Sequence, residues 1–109
     1  MPPELVRDDI VMRVDGDMLE IAIPRTENVR RIPLAWLVVR AQPARKNNVQ
    51  VCIGSENVDQ PLYEMKKKTA FRGQSLITFI KADEEPAYRA FFAEVAQLCG
   101  RSVTPASQS

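Results

Sequence analysis

Hydrophobic and polar residues alternate along residues 10–23, on either side of the dipeptide Asp15-Gly16. A two-residue loop at this dipeptide would form a type I′ turn, because Asp and Gly both tolerate positive φ. This register pairs Met12 with Leu19 and collects the apolar side chains on one face of a hairpin. The apolar face then contains Ile10, Met12, Leu19, Ile21 and Ile23. The pattern predicts two half-buried antiparallel strands at the start of the domain.

The middle of the chain contains further short apolar segments with the composition of strands. We predict a short strand just before Pro33, which cannot donate to a sheet ladder and so indicates an edge, a bulge or a bend. A longer strand over 37–43 is expected to pair with 49–53 across a polar turn. The segment 76–80 is apolar on both sides, which predicts a strand covered on both faces. Residues 56–75 are the least informative, with a short strand expected near 63–66.

The last clear element is an amphipathic helix over 86–99. The acidic residues 83–85 suit the positive end of the helix dipole, Pro86 suits the first helical turn, and Gly100 suits a C-terminal cap. Apolar residues recur at spacings of three and four, which predicts one buried stripe. Its members are Tyr88, Phe91, Phe92, Val95, Leu98 and Cys99.

Six or seven short antiparallel strands followed by one helix predict a mainly β, α+β fold. A small sheet bent into a partly open barrel leaves one end uncovered, and the C-terminal helix could close it. The predicted arrangement is an N-terminal arm over 1–7, one domain over 8–100 and a flexible tail over 101–109. The expected core comprises Ile10, Met12, Leu19, Ile21, Val51, Phe79, Phe91, Val95 and Leu98.

This order of elements is also that of a pleckstrin-homology-like (PH-like) domain. The segments VDGDMLEI (14–21) and RIPLAWLV (31–38) resemble motifs of a bacterial PH-like domain family of unknown function, common in actinobacteria. The resemblance covers about residues 8–100 and implies the PH-like fold. It assigns no activity, substrate or cofactor to any residue of this chain.

Composition removes most catalytic chemistry. The 109 residues include no histidine, which excludes Ser-His and Cys-His nucleophile pairs and an imidazole general base. The four glycines form no phosphate-binding loop, and adjacent carboxylates such as Glu84-Glu85 would point to opposite faces of a strand. Cys52 and Cys99 show no metal-ligand spacing; two small buried hydrophobes are favoured over a disulfide or a reactive thiol. We therefore predict no catalysis, no cofactor and no metal.

The net charge is only +1, but a basic middle separates acidic ends. The candidate anionic-ligand patch is Lys66, Lys67, Lys68 and Arg72. Phosphoinositide-reading PH domains usually carry Lys or Arg in their first loop, which is acidic here, so specific inositol-phosphate binding is not expected. Nucleic-acid binding is not expected either, because the isoelectric point is near 7.8 and no basic motif is interleaved with aromatic residues.

The remaining expectation is a non-catalytic binding or assembly module that contacts a protein partner or a second copy of itself. Trp36 follows a proline bend, and it lies either in the core or partly exposed as a partner anchor. The alternative function is weak peripheral association with anionic lipid through the basic loop. The N-terminus lacks the pattern of a signal peptide and the longest apolar run is 34–39, so a cytoplasmic location is expected.

Overall fold

The computed structural model describes residues 3–56, 61–65, 73–101 and 103–104. The predicted mainly β fold with one C-terminal helix is confirmed. The helix is α1 (Glu85–Leu98), preceded by the 3₁₀ turn Ala82–Glu84, and a second 3₁₀ turn is Pro24–Thr26. The strands in chain order are β1 (Glu4–Val6), β2 (Val11–Asp15), β3 (Met18–Ile23), β4 (Asn28–Pro33), β5 (Leu37–Ala44), β6 (Asn48–Ser55), β7 (Tyr63–Met65), β8 (Gln74–Lys81) and β9 (Val103–Thr104).

The strands form two sheets. The first sheet is the antiparallel meander β1-β2-β3-β4, and the second has the order β8-β6-β5-β7-β9. The expectation that all strands run antiparallel is wrong for β7, which pairs parallel to both β5 and β9. The reason is topological, because β7 follows β6 in the chain yet lies beyond β5 in the sheet. No described strand of one sheet pairs with a strand of the other.

The first hairpin forms with the predicted faces but a different turn. Met12 lies opposite Ile21 and Asp15 opposite Met18, so the two-residue loop is Gly16-Asp17 and not Asp15-Gly16. Gly16 has φ 65° at the first loop position, the glycine position of a type II′ turn. The predicted pairing of Met12 with Leu19 is therefore wrong by two residues. Because side chains alternate with a period of two, a shift of two leaves the same residues on the buried face.

The core lies between the two sheets and is closed on one side by α1. It includes the predicted residues Ile10, Met12, Leu19, Ile21, Val51, Phe91 and Val95. Two predicted core residues are instead exposed: Phe79 and Leu98, each at 59%. Phe79 lies on the outer face of β8, an edge strand, so the prediction that this strand is covered on both faces is wrong. Leu98 lies at the edge of the buried stripe, about 20° beyond Phe91 around the helix axis, in the last turn of α1.

The helix ends as its sequence indicates. The N–H of Gly100 donates to Gln97 O at 3.4 Å and the N–H of Arg101 donates to Ala96 O at 2.8 Å, which together form a Schellman cap. Both cysteines carry free thiols, with Cys52 fully buried and Cys99 half-buried. The predicted N-terminal arm is incorporated into the first sheet as β1, whereas most of the predicted tail lies outside the described residues.

Candidate interaction surfaces

Two surface depressions lie on the described part of the protein, and Trp36 lines neither of them. One, of about 420 Å³, is lined by Val6, Arg7, Asp8, Asp9 and Glu84. Arg7 Nε donates to Glu84 Oε1 at 3.1 Å, so one of the three carboxylates that line this depression is already paired. The other, of about 320 Å³, is lined by Pro3, Glu94, Gln97 and Leu98. Among the described residues, no three His, Cys, Asp or Glu side chains are placed to hold a metal ion.

A buried polar cluster joins β7 to α1. Tyr63 Oη donates to Glu85 Oε2 at 2.6 Å, and Arg89 Nη2 donates to Glu85 Oε1 at 2.8 Å. Burial, followed by the hydrogen bond to Glu85, raises the pKa of Tyr63 far above its ordinary value. The Tyr63 ring also stacks on Phe92 with centroids 5.6 Å apart. Tyr63 and Glu85 are buried and bonded to each other, so the cluster positions the helix against β7.

Arg40 is a second buried charge, on β5. Its Nη1 donates to Val39 O at 2.9 Å and to Pro61 O at 3.1 Å, and its Nε lies 3.5 Å from Glu64 Oε1. Burial lowers the pKa of this guanidinium, opposed by the charge of Glu64. The side chain therefore ties β5 to β7 and to the segment before it. The sequence did not indicate this role. An arginine at the end of an apolar run can be buried or exposed, and the pattern around Arg40 does not distinguish the two.

Trp36 lies in the turn that carries the chain from the first sheet into the second. The backbone N–H of Trp36 donates to Pro33 O at 3.0 Å, and the backbone carbonyl of Trp36 accepts from the N–H of Glu56 at 2.9 Å. The backbone is thus held by hydrogen bonds on both sides, while the residue remains 52% exposed. Arg101 braces the same turn by donating to the carbonyls of Leu34 and Leu37. The structure thus places Trp36 at the surface and not in the core, and its role as a partner anchor stays a prediction.

The four residues of the candidate anionic-ligand patch, Lys66, Lys67, Lys68 and Arg72, lie outside the described residues. Two further basic residues of the middle of the chain, Arg45 and Lys46, are exposed in the turn between β5 and β6. The basic patch therefore stays a prediction from the sequence.

The outer face of the first sheet is organised in rows that cross its four strands. In one row, Glu20 on β3 lies between Arg13 on β2 and Arg31 on β4, with N–O distances of 2.8 and 2.9 Å. Hydrogen bonds from Arg13 and then from Arg31 lower the pKa of Glu20. The neighbouring row is apolar and runs through Val6, Val11, Ala22 and Val29. The charges of the first row are therefore paired within that row, Glu20 with both arginines, and the apolar row beside it carries no charge.

The outer face of β8 carries two large exposed hydrophobic side chains, Ile77 and Phe79. Ile77 is 46% exposed and lies two residues before the exposed Phe79, on the same face of the strand. β8 is one of the two edge strands of its sheet and pairs with β6 alone among the described strands. Sequence reasoning missed this surface, because an apolar run gives no sign of whether a second layer covers it.

Comparison of the chain with known protein families, with curated proteins and with solved structures finds no match. Among the described residues, no helix is long and apolar enough to cross a membrane.

Proposed function

We propose that this protein is a non-catalytic binding or assembly module whose partner is a protein. The observation that carries the proposal is the exposure of Trp36 on a turn whose backbone is hydrogen-bonded on both sides. Tryptophan is enriched among the residues that dominate binding energy at protein interfaces, because one ring buries a large area with few rotatable bonds. An exposed tryptophan on a fixed backbone loses little conformational entropy when a partner covers it.

The proposal assigns the chain to the PH-like type. Support comes from the order of its elements: a four-stranded antiparallel meander, then the antiparallel strands β5, β6 and β8, then one C-terminal helix. The resemblance of residues 14–21 and 31–38 to the bacterial PH-like family points the same way. The short parallel strand β7 is the departure from a simple pair of antiparallel meanders.

The experiment is quantitative co-purification from cells of the native host with tagged wild type, Trp36→Ser and Ala35→Ser. Ala35→Ser is the matched control, because Ala35 is exposed in the same turn. Recovery of the partner is expected to fall by about tenfold or more with Trp36→Ser and to be unchanged with the control. Equal recovery with all three proteins, or no enriched protein, would contradict a partner site at Trp36.

The alternative function is weak association with anionic lipid, and the run Lys66, Lys67 and Lys68 favours it. Each such lysine near an anionic surface contributes about 1 kcal/mol, so three of them give weak binding. Co-sedimentation with neutral and with anionic vesicles at about 150 mM salt separates the two functions. Strong binding to anionic vesicles that is lost when all three lysines become alanine would replace the protein-partner proposal with a membrane module.

A further inference from the structure

The free edge of β8 is the longest unpaired strand edge in the described part of the protein. Its eight residues, Gln74–Lys81, span about 27 Å and pair with β6 on one side only. The other side presents backbone N–H and C=O groups in the spacing that a further strand would match. Such an edge is a template for strand addition.

The other described edges are short or protected. β1 and β9 have three and two residues, so each offers few backbone groups. β4 is longer but carries Arg30, Arg31 and Pro33, and charge and proline are common means of blocking edge-to-edge pairing. β8 contains no proline, and its single charged residue is Lys81 at the end. Among the described edges, β8 alone is both long and free of these features.

We propose that β8 pairs antiparallel with β8 of a second copy of this chain, around a two-fold axis at Thr78. The inference rests on the proposed function, since it names one protein partner. In this register Ile77 lies opposite Phe79 of the second copy, and the reciprocal pair forms by symmetry. On the other face of the strand, Leu76 lies opposite Ile80 of the second copy. Both faces of the paired strands therefore match apolar residues with apolar residues.

The neighbouring registers are less complementary. Directly opposed residues share a face of the sheet, so the sum of their residue numbers can change only in steps of two. Each such step moves the two-fold axis by one residue along β8. A two-fold axis at Ile77 places Phe79 opposite Ser75 of the second copy. An axis at Phe79 places Ile77 opposite Lys81 of the second copy. Only the axis at Thr78 keeps both exposed apolar residues against apolar partners.

Charge is compatible with the same register. Lys81 lies opposite Ser75 of the second copy, so the two Lys81 side chains lie at opposite ends of the paired strands, about 20 Å apart. That separation exceeds the roughly 8 Å screening length of physiological salt, so they repel little. The pairing produces one continuous sheet of ten strands. An interface built on one strand edge is small, so we expect a dimer in the micromolar range.

Sedimentation velocity of the purified full chain over a range of concentrations tests the dimer. Wild type is expected to approach twice the 12.3 kDa chain mass as concentration rises. Phe79→Glu is expected to weaken dimerisation by about tenfold or more, because in each copy a charged side chain replaces the ring that packs beside Ile77 of the second copy. Val29→Glu is the matched control, since Val29 has 60% exposure on the edge strand β4 and its substitution should leave the dimer intact.

Cysteine cross-linking tests the register without relying on a disruptive variant. In a Cys99→Ser background, where the remaining Cys52 is fully buried, Thr78→Cys is expected to form a disulfide-linked dimer on mild oxidation. Ile77→Cys and Phe79→Cys are expected to cross-link far less, because each then lies opposite a different residue. Preferential cross-linking of either of these variants would overturn the Thr78 axis.

A monomeric wild type throughout the micromolar to millimolar range would overturn the second copy as the occupant of β8. So would a dimer that Phe79→Glu leaves unchanged. Either result leaves the partner site at Trp36 to its own test, because that test uses other substitutions. Conversely, a dimer that requires Phe79 supports strand pairing even if no cellular protein depends on Trp36.

Discussion

At the scale of single residues, the described interior holds charged groups only where partners surround them. Glu85 is buried and receives hydrogen bonds from Tyr63 and Arg89, and Arg40 donates to two backbone carbonyls. An unpaired charge in such a place would be costly, because burial removes its hydration. The Tyr63–Glu85 bond therefore fixes where β7 and α1 sit relative to one another, and Arg40 ties β7 to β5, in addition to the apolar contacts.

Removal of the Tyr63 hydroxyl should weaken this anchoring. We expect Tyr63→Phe to lower the free energy of unfolding by about 1–3 kcal/mol, because the bond to a charged carboxylate is lost while the ring still stacks on Phe92. Urea denaturation at neutral pH measures the loss. In a double-mutant cycle with Glu85→Gln, a coupling near 1 kcal/mol is expected. Fully additive effects would show that the 2.6 Å contact between the two side chains contributes nothing.

At the scale of elements, the amphipathic pattern of α1 decides which face is buried, and neighbouring strands decide how far that face extends. Tyr88, Phe92 and Val95 are almost fully covered, and Phe91 meets Phe92 edge to face at 5.1 Å between ring centroids. Leu98, in the last turn, continues the spacing of three but reaches solvent. The helix therefore docks through its central turns.

Truncation of a central side chain should accordingly cost much more than truncation at the last turn. We expect Phe91→Ala to lower the free energy of unfolding by about 3–5 kcal/mol, through lost burial and the cavity left behind. Leu98→Ala, the control on the exposed face, should change it by about 0.5 kcal/mol or less. Both values follow from urea melts. A cost below about 1 kcal/mol for Phe91→Ala would mean that the helix is not docked on the sheets.

At the scale of the whole molecule, both tyrosines are buried at the contact of the helix with the rest of the fold, so their ionisation is coupled to unfolding. Burial, with the nearby charges of Asp9 and Glu84, raises the pKa of Tyr88 to about 12. The pKa of Tyr63 is raised further by burial and by Glu85. An unfolded tyrosine ionises near pH 10, so between these values the unfolded chain releases protons that the folded chain retains.

Stability should therefore be insensitive to the tyrosines below about pH 10 and fall as the pH rises toward 12. Tyr88 alone accounts for about 2–3 kcal/mol of that loss, from its difference of about two pKa units. Urea denaturation at a series of pH values measures the decline, and tyrosinate absorbance shows when the rings ionise. Tyr88→Phe should flatten the decline. Tyrosinate formation near pH 10 in the folded protein would contradict the burial of both rings.

Local periodicity, together with residues such as Pro86 and Gly100, was enough to predict the faces of the first hairpin, the C-terminal helix and its cap. Periodicity fixed which side of the first hairpin is apolar but could not choose between turns at 15–16 and 16–17, since both give the same faces. The tertiary structure decided the place of β7 beside β5, which needs a pairing between segments distant in the chain.

Tertiary structure also decided which apolar residues are left exposed. Phe79 and Val51 have equally apolar surroundings in the sequence, yet one lies on the uncovered face of an edge strand and the other in the centre of the core. The same holds for Trp36, whose exposure follows from its position at the turn between the two sheets. Burial depends on what packs against a residue from elsewhere in the chain, and no local pattern records that.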